Sequence, residues 1–139
     1  MARKIIYINN IRVGYSTSAS VEPEVETNET PTFDGAVVDG TEDPSFTVEI
    51  EKLRYGTKAD YIQLEQLLIN MYTKGYPIKI AEKVSMKDGD MTIVDIVYDC
   101  KLDGNSYELD PEERTAESLT FKGSKRRRWI DGKEIKKTV

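Results

Sequence analysis

The sequence predicts a mostly β protein of the α+β class, with one helix and a long acidic loop. Short runs that alternate apolar and polar residues recur along the chain, as expected for half-buried strands. Only residues 58–73 carry apolar residues at the spacings of three and four that an amphipathic helix requires. The length of 139 residues suits one domain around one core. We therefore interpret residues 1–139 as a single domain.

The chain opens with two short β-type runs, residues 4–8 and residues 11–15. Asn9-Asn10 separates them, and Asn tolerates the positive φ angles that a two-residue hairpin turn requires. The clearest strand comes later, at residues 46–53, where apolar and polar residues alternate. These patterns predict an N-terminal hairpin and a strand with one buried and one solvated face.

Residues 16–45 form an acidic segment that is rich in Ser, Thr, Pro and Gly and has no helical periodicity. A connection of this length is unusual between neighbouring elements, and it is commonly functional or ordered against a partner. We interpret the segment as a long acidic loop. The alternation at Val21-Glu22 and Val25-Glu26 leaves room for extended, hairpin-like pieces within it.

A helix is predicted at residues 58–73. Thr57 followed three residues later by Asp60 is typical of a helix start. Gly75 and Pro77 are typical of a helix end. The apolar stripe is typical of core packing rather than of a cofactor site, and it comprises Tyr61, Leu64, Leu68, Met71 and Tyr72.

After the helix the sequence returns to β-type patterns. Strands are predicted at residues 78–80, 91–98 and 117–122, and turns at residues 87–90 and at Asp103-Gly104. Residues 122–139 are predicted to form a basic C-terminal arm or a small exposed hairpin.

The residue types exclude several classes of chemistry. The chain has no His and a single Cys, Cys100, so it cannot build a Ser-His-Asp or Cys-His mechanism or an intrachain disulfide. Asp88-Gly89-Asp90 lacks the remaining ligands of a calcium loop and predicts a turn. We expect no catalysis, no cofactor and no metal site.

No apolar run approaches the ~18 residues that a bilayer span requires. The apolar run after Arg3-Lys4 is too short for a secretory signal peptide. The sequence therefore predicts a protein that is made and kept in a cytoplasm.

Charge is segregated along the chain, although the net charge is only −5. Residues 1–21 contain bases and no acid, residues 22–49 contain acids and no base, and residues 121–139 are mainly basic. Such stretches can meet within one fold or between subunits, where charge complementarity fixes the register of contact. The candidate subunit-contact residues are Glu22, Glu24, Glu26, Glu29, Asp34, Asp39, Arg126, Arg127, Arg128 and Trp129.

Residues 125–129 allow a second interpretation. Four bases beside an aromatic ring can bind phosphates and stack on a base. The sequence pI of about 4.9 is the reverse of the usual nucleic-acid-binding footprint. We favour the subunit contact and keep a small nucleic-acid-binding module as an alternative.

The order of these elements resembles that of bacteriophage tail tube proteins, especially the contractile-tail type and related phage-tail-like bacteriocins. The resemblance begins with the N-terminal hairpin that ends in residues 11–20 and continues in the acidic loop, with Glu24, the Asp39-Gly40 turn and Pro44. Residues 46–55 are similar to a strand of the pattern T-V-E-x-x-R-L/M. The resemblance also includes the helix, the later meander and a strand at residues 115–121. The Arg-rich tail beyond Phe121 is not part of the family pattern.

The resemblance implies two packed antiparallel sheets, often described as a β-barrel, flanked by one helix. It implies that six subunits close a ring by joining their sheets edge to edge. Stacked rings would form a hollow tube through which the genome and the tape-measure protein pass. Residues 17–45 would make inter-subunit and inter-ring contacts, and the strand at residues 46–54 would line or support the barrel. An acidic chain suits a lumen through which DNA slides, because like charges repel.

We therefore expect a structural virion protein without enzymatic activity, located in the virion tail and, during assembly, in the bacterial host cytoplasm. Its expected partners are copies of itself in hexameric rings, together with tail sheath, tape-measure and baseplate proteins. DNA would pass without specific binding, and no membrane is involved. The basic arm would contact a neighbouring subunit or the sheath. The alternatives are another phage tail ring component, such as a terminator, joining or baseplate protein, and the nucleic-acid-binding module.

Overall fold

The computed structural model of the chain describes residues 3–23, 45–103 and 108–135. The helix is α1 (Lys58–Asn70). The strands are β1 (Lys4–Ile8), β2 (Ile11–Ser16), β3 (Ser18–Pro23), β4 (Phe46–Arg54), β5 (Tyr76–Met86), β6 (Gly89–Leu102), β7 (Leu109–Asp110), β8 (Thr115–Gly123), β9 (Lys125–Ile130) and β10 (Lys133–Glu134).

Six strands close an antiparallel barrel in the order β1, β2, β4, β8, β6 and β5. The barrel closes where β6 pairs with β8, at Leu102↔Phe121 and Lys101↔Lys122. The remaining strands lie outside the barrel. This architecture confirms the mostly β class with one helix, and it confirms the barrel that the resemblance implies.

Strand β3 continues β2 after a bend at Thr17, and it pairs with β4 from Ser18↔Glu51 to Pro23↔Phe46. The Ser16 hydroxyl holds this bend, since it donates to the Glu51 carbonyl at 2.6 Å and accepts from the Ser18 N–H at 3.0 Å. The prediction of a loop over residues 16–45 is therefore wrong at its start. The sequence left room for an extended piece there, and residues 24–44 lie outside the described residues.

The core fills the barrel with inward-facing apolar side chains from every barrel strand. Its largest fully buried members on strands are Ile6, Ile8, Val48, Ile50, Leu53, Ile78, Val97, Leu119 and Phe121. Helix α1 adds Leu64, Leu68 and Met71 to the same cluster, and the Met71 carbonyl accepts a hydrogen bond from the Leu102 N–H at 2.9 Å. Leu64, Leu68 and Met71 of the predicted apolar stripe therefore pack onto the barrel, whereas Tyr72, also predicted in that stripe, is 41% exposed.

A capping box starts the helix as the sequence predicts. The Thr57 hydroxyl accepts from the Asp60 N–H at 3.2 Å, and the Asp60 carboxylate accepts from the Thr57 N–H at 3.0 Å. The predicted end at residue 73 is too late, because the helix ends at Asn70 and residues 71–73 form a turn. The Met71 N–H is shared between the carbonyls of the preceding turn, as is common where a helix tightens at its end.

The C-terminal arm predicted at residues 122–139 is part of the sheet over its described residues. Strand β9 pairs with β6 from Lys125↔Tyr98 to Ile130↔Ile93, and β10 pairs back onto β9. Asp131 and Gly132 form the tight turn between them, with φ of 51° and 83°. Residues 136–139 lie outside the described residues.

The antiparallel pairing gives the barrel two different ends. At one end β3 stops at Pro23, β4 begins at Phe46, and the hairpins β5–β6 and β9–β10 turn. We call it the loop end. At the opposite end lie the Asn9-Asn10 turn, helix α1 and the turn at residues 111–114, and we call it the helix end.

Candidate interaction surfaces

One outer face of the barrel is acidic and is built by β3 and β4. Val48 and Ile50 point into the core, so Glu49 and Glu51 point outward and are exposed. Glu22 on β3 is exposed on the same side, opposite Thr47 in the register. No base lies among the β3 residues or at residues 46–51 of β4. We call this surface, made by Glu22, Glu49 and Glu51, the acidic face.

The inward–outward alternation of β4 changes at Lys52, which ends the acidic face. Lys52 has a positive φ of 52°, and the next residue, Leu53, is fully buried although the register with β8 does not shift. Leu53 therefore stays in the core, and Arg54 is exposed near the helix end. The charge along the outside of β4 therefore changes sign between Glu51 and Arg54.

The opposite side of the barrel is basic. In the order of the six barrel strands, β5 lies across the barrel from β4, whereas β6 is separated from β4 by β8 alone. The outer surface of β5 and β6, with β9 attached to β6, carries Lys79, Lys83, Lys101, Lys125 and Arg127, and we call it the basic face. Its acids are Asp90, Asp99 and Glu134.

Two cations of the basic face have a carboxylate partner on it. The Lys83 ammonium lies 3.5 Å from the Asp90 carboxylate. The Arg127 guanidinium donates two hydrogen bonds to Glu134, at 2.7 and 2.8 Å, and also lies over the Trp129 ring. The pKa of Arg127 is raised, first by the hydrogen bond to Glu134, so this group stays charged. Lys79, Lys101 and Lys125 add further positive charge to this face.

Arg126 and Arg128 point to the other side of β9. They line an opening of the barrel together with Ile80 and Ile93. Arg126 Nε donates to Asp95 at 2.9 Å, and Arg128 Nη1 lies 3.5 Å from the second oxygen of the same carboxylate. The sequence analysis missed Asp95, because nothing local marks a partner that is 31 residues away.

The structure places the predicted subunit-contact residues at several positions. Glu22 lies on the acidic face, and Arg127 lies on the basic face beside Trp129. Arg126 and Arg128 point to the barrel opening. Glu24, Glu26, Glu29, Asp34 and Asp39 lie outside the described residues. Five further charged residues of these faces were not predicted from the sequence: Glu49, Glu51, Lys79, Lys101 and Lys125. The alternation of the strands indicates that such side chains point outward.

Strands β3 and β9 each have an edge that carries no strand neighbour over part of its length among the described residues. Strand β3 pairs only with β4, and its other edge meets Lys4, whose ammonium donates to the Ala19 carbonyl at 2.6 Å. Strand β9 pairs with β10 only near its end, which leaves the outer edge of residues 125–127. Such edges present backbone groups that another strand can bind.

Three arginines line a groove at the helix end. Arg12, Arg54 and Arg114 line a space of about 540 Å³, together with Asp60 and Glu113. We call it the helix-end groove. The Gly14 backbone packs against the Arg54 carbonyl, where a Cβ atom would overlap that oxygen. The exchange of a larger residue for Gly14 would therefore displace Arg54.

A second space of about 480 Å³ shares Tyr55, Gly56 and Arg114 with the helix-end groove. Tyr61, Ile62 and Pro111 complete its mainly apolar wall, and we call it the tyrosine pocket. The rings of Tyr55 and Tyr61 lie 5.7 Å apart in a tilted arrangement. The Tyr55 hydroxyl donates to the Asp110 carbonyl at 3.1 Å, and the pKa of Tyr55 is raised, first by burial.

The turn at residues 111–114 fixes Arg114 between these two spaces. The Asp110 carboxylate accepts from the N–H groups of Glu112 and Glu113, both at 3.1 Å. The Arg114 N–H donates to the Asp110 carbonyl at 2.8 Å, and the Arg114 carbonyl accepts from the Tyr55 N–H at 3.1 Å. Both backbone groups of Arg114 are therefore held while its side chain is exposed.

No protein-family model matches the sequence, and no curated protein matches it.

Residues 3–23, 45–103 and 108–135 contain no group of three His, Cys, Asp or Glu side chains that could hold a metal ion. The same ranges contain no helix with the length and apolar character of a membrane span. The Cys100 thiol is buried and donates to the Val97 carbonyl at 3.2 Å, and burial raises its pKa to about 12.

Proposed function

We propose that this chain is a structural protein that assembles with copies of itself into closed rings, which stack into a hollow tube of the phage-tail kind. The observation that carries the proposal is the separation of charge between opposite faces of the barrel. Glu22, Glu49 and Glu51 are exposed on one face. Lys79 lies on β5, across the barrel from β4, and Lys101 and Lys125 extend the basic face along β6 and β9.

Opposite faces of opposite charge favour a contact in which the acidic face of one copy meets the basic face of the next. Such a contact uses two different surfaces and is therefore heterologous. A heterologous contact repeats until the rotation between neighbours closes a ring, or else it continues as a filament. Charge complementarity steers this encounter and fixes its register.

The strand edges support the same contact. The edge of β3 lies beside the acidic face, and the outer edge of residues 125–127 lies beside the basic face. Pairing of these edges between neighbours would join the sheets of successive subunits. The backbone groups of both edges would then gain partners that the described part of one chain does not supply.

The stacking of rings and the phage-tail setting rest on the resemblance of the sequence to tail tube proteins. Another kind of tail ring component would use the same lateral contact between neighbouring subunits, but its rings would not stack. Size-exclusion chromatography with light scattering and negative-stain electron microscopy across a concentration series separate these outcomes. We expect rings at intermediate concentration and hollow tubes at high concentration.

The charge contact is tested with two complementary variants. Glu49→Lys with Glu51→Lys reverses the acidic face, and Lys101→Glu with Lys125→Glu reverses the basic face. All four side chains are exposed, so we expect both variants to fold. Each variant alone should fail to form rings at concentrations where the unchanged protein assembles.

An equimolar mixture of the two variants should assemble again. In the mixture, the reversed acidic face of one variant can meet the reversed basic face of the other variant. The unchanged basic face of the first variant can likewise meet the unchanged acidic face of the second. The two variants would therefore alternate around a ring with an even number of subunits. If both variants assemble as well as the unchanged protein, or if the mixture stays monomeric, the proposed contact is wrong. A stable monomer that binds labelled DNA in a salt-sensitive manner would instead support the nucleic-acid-binding module.

A further inference from the structure

The helix-end groove and the tyrosine pocket adjoin each other and differ in chemistry. Tyr55, Gly56 and Arg114 line both spaces. Three arginines line the groove, whereas the wall of the pocket is mainly apolar and aromatic. Sites for small molecules are typically concave and apolar, with a few charged groups and a volume of about 300–1,000 Å³. The two spaces, of about 540 and 480 Å³, have this size and this combination of groups.

We propose that the helix-end groove and the tyrosine pocket together bind a small aromatic molecule that carries a carboxylate or phosphate group. The anionic group lies in the groove against the guanidinium groups, and the aromatic ring lies in the pocket. None of the residues that line either space belongs to the acidic face or the basic face. The site is therefore separate from the surfaces of the proposed ring contact.

The charge of the groove selects the anionic group. Arg12, Arg54 and Arg114 line the groove, and no carboxylate of the described residues forms an ion pair with their guanidinium groups. Of the two acids that line it, Asp60 already accepts two N–H groups of the helix cap, and Glu113 is exposed. A guanidinium group presents its donors in a planar fork that matches a carboxylate or a phosphate. Three of them around one space therefore favour an anion.

Two tyrosines give the pocket its affinity for a ring. The rings of Tyr55 and Tyr61 lie 5.7 Å apart and are tilted by 60°. Tyr55 is 6% exposed, and its hydroxyl donates to the Asp110 carbonyl at 3.1 Å, so its ring is held in place. Ile62 is 46% exposed on the wall of the same pocket. An aromatic ligand would cover this apolar surface and gain ring contacts with the tyrosines.

The backbone that carries the site is fixed without a ligand. The Arg114 N–H donates to the Asp110 carbonyl at 2.8 Å, and the Arg114 carbonyl accepts from the Tyr55 N–H at 3.1 Å. Arg54 pairs with both β2 and β8. Binding therefore orders side chains and leaves the backbone as it is, which lowers the entropic cost of association.

The test is saturation-transfer NMR with the full chain, which detects the ring protons of a bound molecule. The probes are phenyl phosphate and 3-phenylpropionate, and benzyl alcohol is the neutral control because it carries the ring without the anion. The tighter anionic probe should bind at least about tenfold more strongly than benzyl alcohol, which corresponds to about 1.4 kcal/mol. Its binding should weaken as salt increases, because exposed charges are screened. The order of the two anionic probes identifies phosphate or carboxylate as the preferred group.

Two variants separate the charged part of the site from its apolar part, and all the changed side chains are exposed. Arg54→Gln with Arg114→Gln should weaken the tighter anionic probe by about fivefold or more and leave benzyl alcohol unchanged. Ile62→Ser should weaken all three molecules by about threefold, because apolar contact is lost. The matched control, Lys101→Gln with Lys125→Gln, removes the same charge from the basic face and should bind the probes normally.

Two results would overturn the assignment. Anionic probes that bind no more strongly than benzyl alcohol would show that the groove does not recognise an anion. An equal loss of binding in the arginine variant and in the lysine control would show that net charge alone attracts the probe. Circular dichroism and thermal melting of each variant check that a loss of binding is not a loss of folding.

Discussion

The Asp95 carboxylate holds two of the three consecutive arginines, and its removal should be costly. Its side chain is 13% exposed and accepts from Arg126 at 2.9 Å, and the Arg126 side chain is 23% exposed. Arg128 at 3.5 Å is more exposed, so it contributes less. A hydrogen bond to a charged group contributes about 1.5–3 kcal/mol. We expect Asp95→Asn to lower the free energy of unfolding by about 2–3 kcal/mol.

The measurement is urea unfolding followed by tryptophan fluorescence, since Trp129 lies on the same strand as both arginines. With a slope of about 1–3 kcal/mol per molar urea, the midpoint should fall by roughly 1 M. The matched control is Asp90→Asn, which removes the pair with Lys83, whose side chains are 71% and 51% exposed. That change should cost less than about 1 kcal/mol.

A double-mutant cycle assigns the effect to the pair. Asp95→Asn and Arg126→Met should couple by about 1–2 kcal/mol, because the second change costs little once its partner is gone. Equal losses for Asp95→Asn and Asp90→Asn, or additive losses in the cycle, would refute the reasoning. The outcome also affects how the nucleic-acid-binding alternative is tested. If Asp95 and Arg126 stabilise the fold, Arg126→Ala or Arg128→Ala would lower nucleic-acid binding by destabilising the protein rather than by removing a phosphate contact.

Two further predictions concern Cys100 and Gly14. The pKa of Cys100 is raised to about 12, so the folded chain keeps a proton that the unfolded thiol loses near pH 9. The contribution of Cys100 to the free energy of unfolding should therefore be fully present below pH 9. It should fall by up to about 1.4 kcal/mol per pH unit between pH 9 and pH 12. Urea unfolding at several pH values should show a smaller slope for Cys100→Ala. Gly14→Ala should lower stability by about 1–3 kcal/mol, because its methyl group would overlap the Arg54 carbonyl; an unchanged melting temperature would contradict this.

The sequence predicted those elements whose signals are local. Asn9 and Asn10 adopt the positive φ angles, 54° and 66°, that the two-residue turn requires. Thr57 and Asp60 form the expected capping box. In each case the residues that define the element are neighbours in the chain, so their side-chain chemistry is enough to recognise it.

The remaining features depend on contacts between distant residues. The pairing of Leu102 with Phe121 closes the barrel, and the pair of Asp95 with Arg126 joins two strands. The positive φ of Lys52 accompanies a change in the alternation of β4, so a strict two-residue period would have placed Leu53 outside. The two charged faces follow from alternation only after the strand order is known, and for this reason the sequence did not locate them.

If copies associate as proposed, the distribution of charge favours one kind of assembly. A twofold contact would place Glu49 and Glu51 of one copy against the same residues of the next. Each such like-charge pair would cost about 1 kcal/mol in water at 4 Å and more where solvent is excluded. The proposed contact between the acidic and basic faces would avoid this cost and gain an interaction of the opposite sign. The faces would therefore disfavour closed dimers, and the proposed head-to-tail contact would retain one free face at each end until a ring closes.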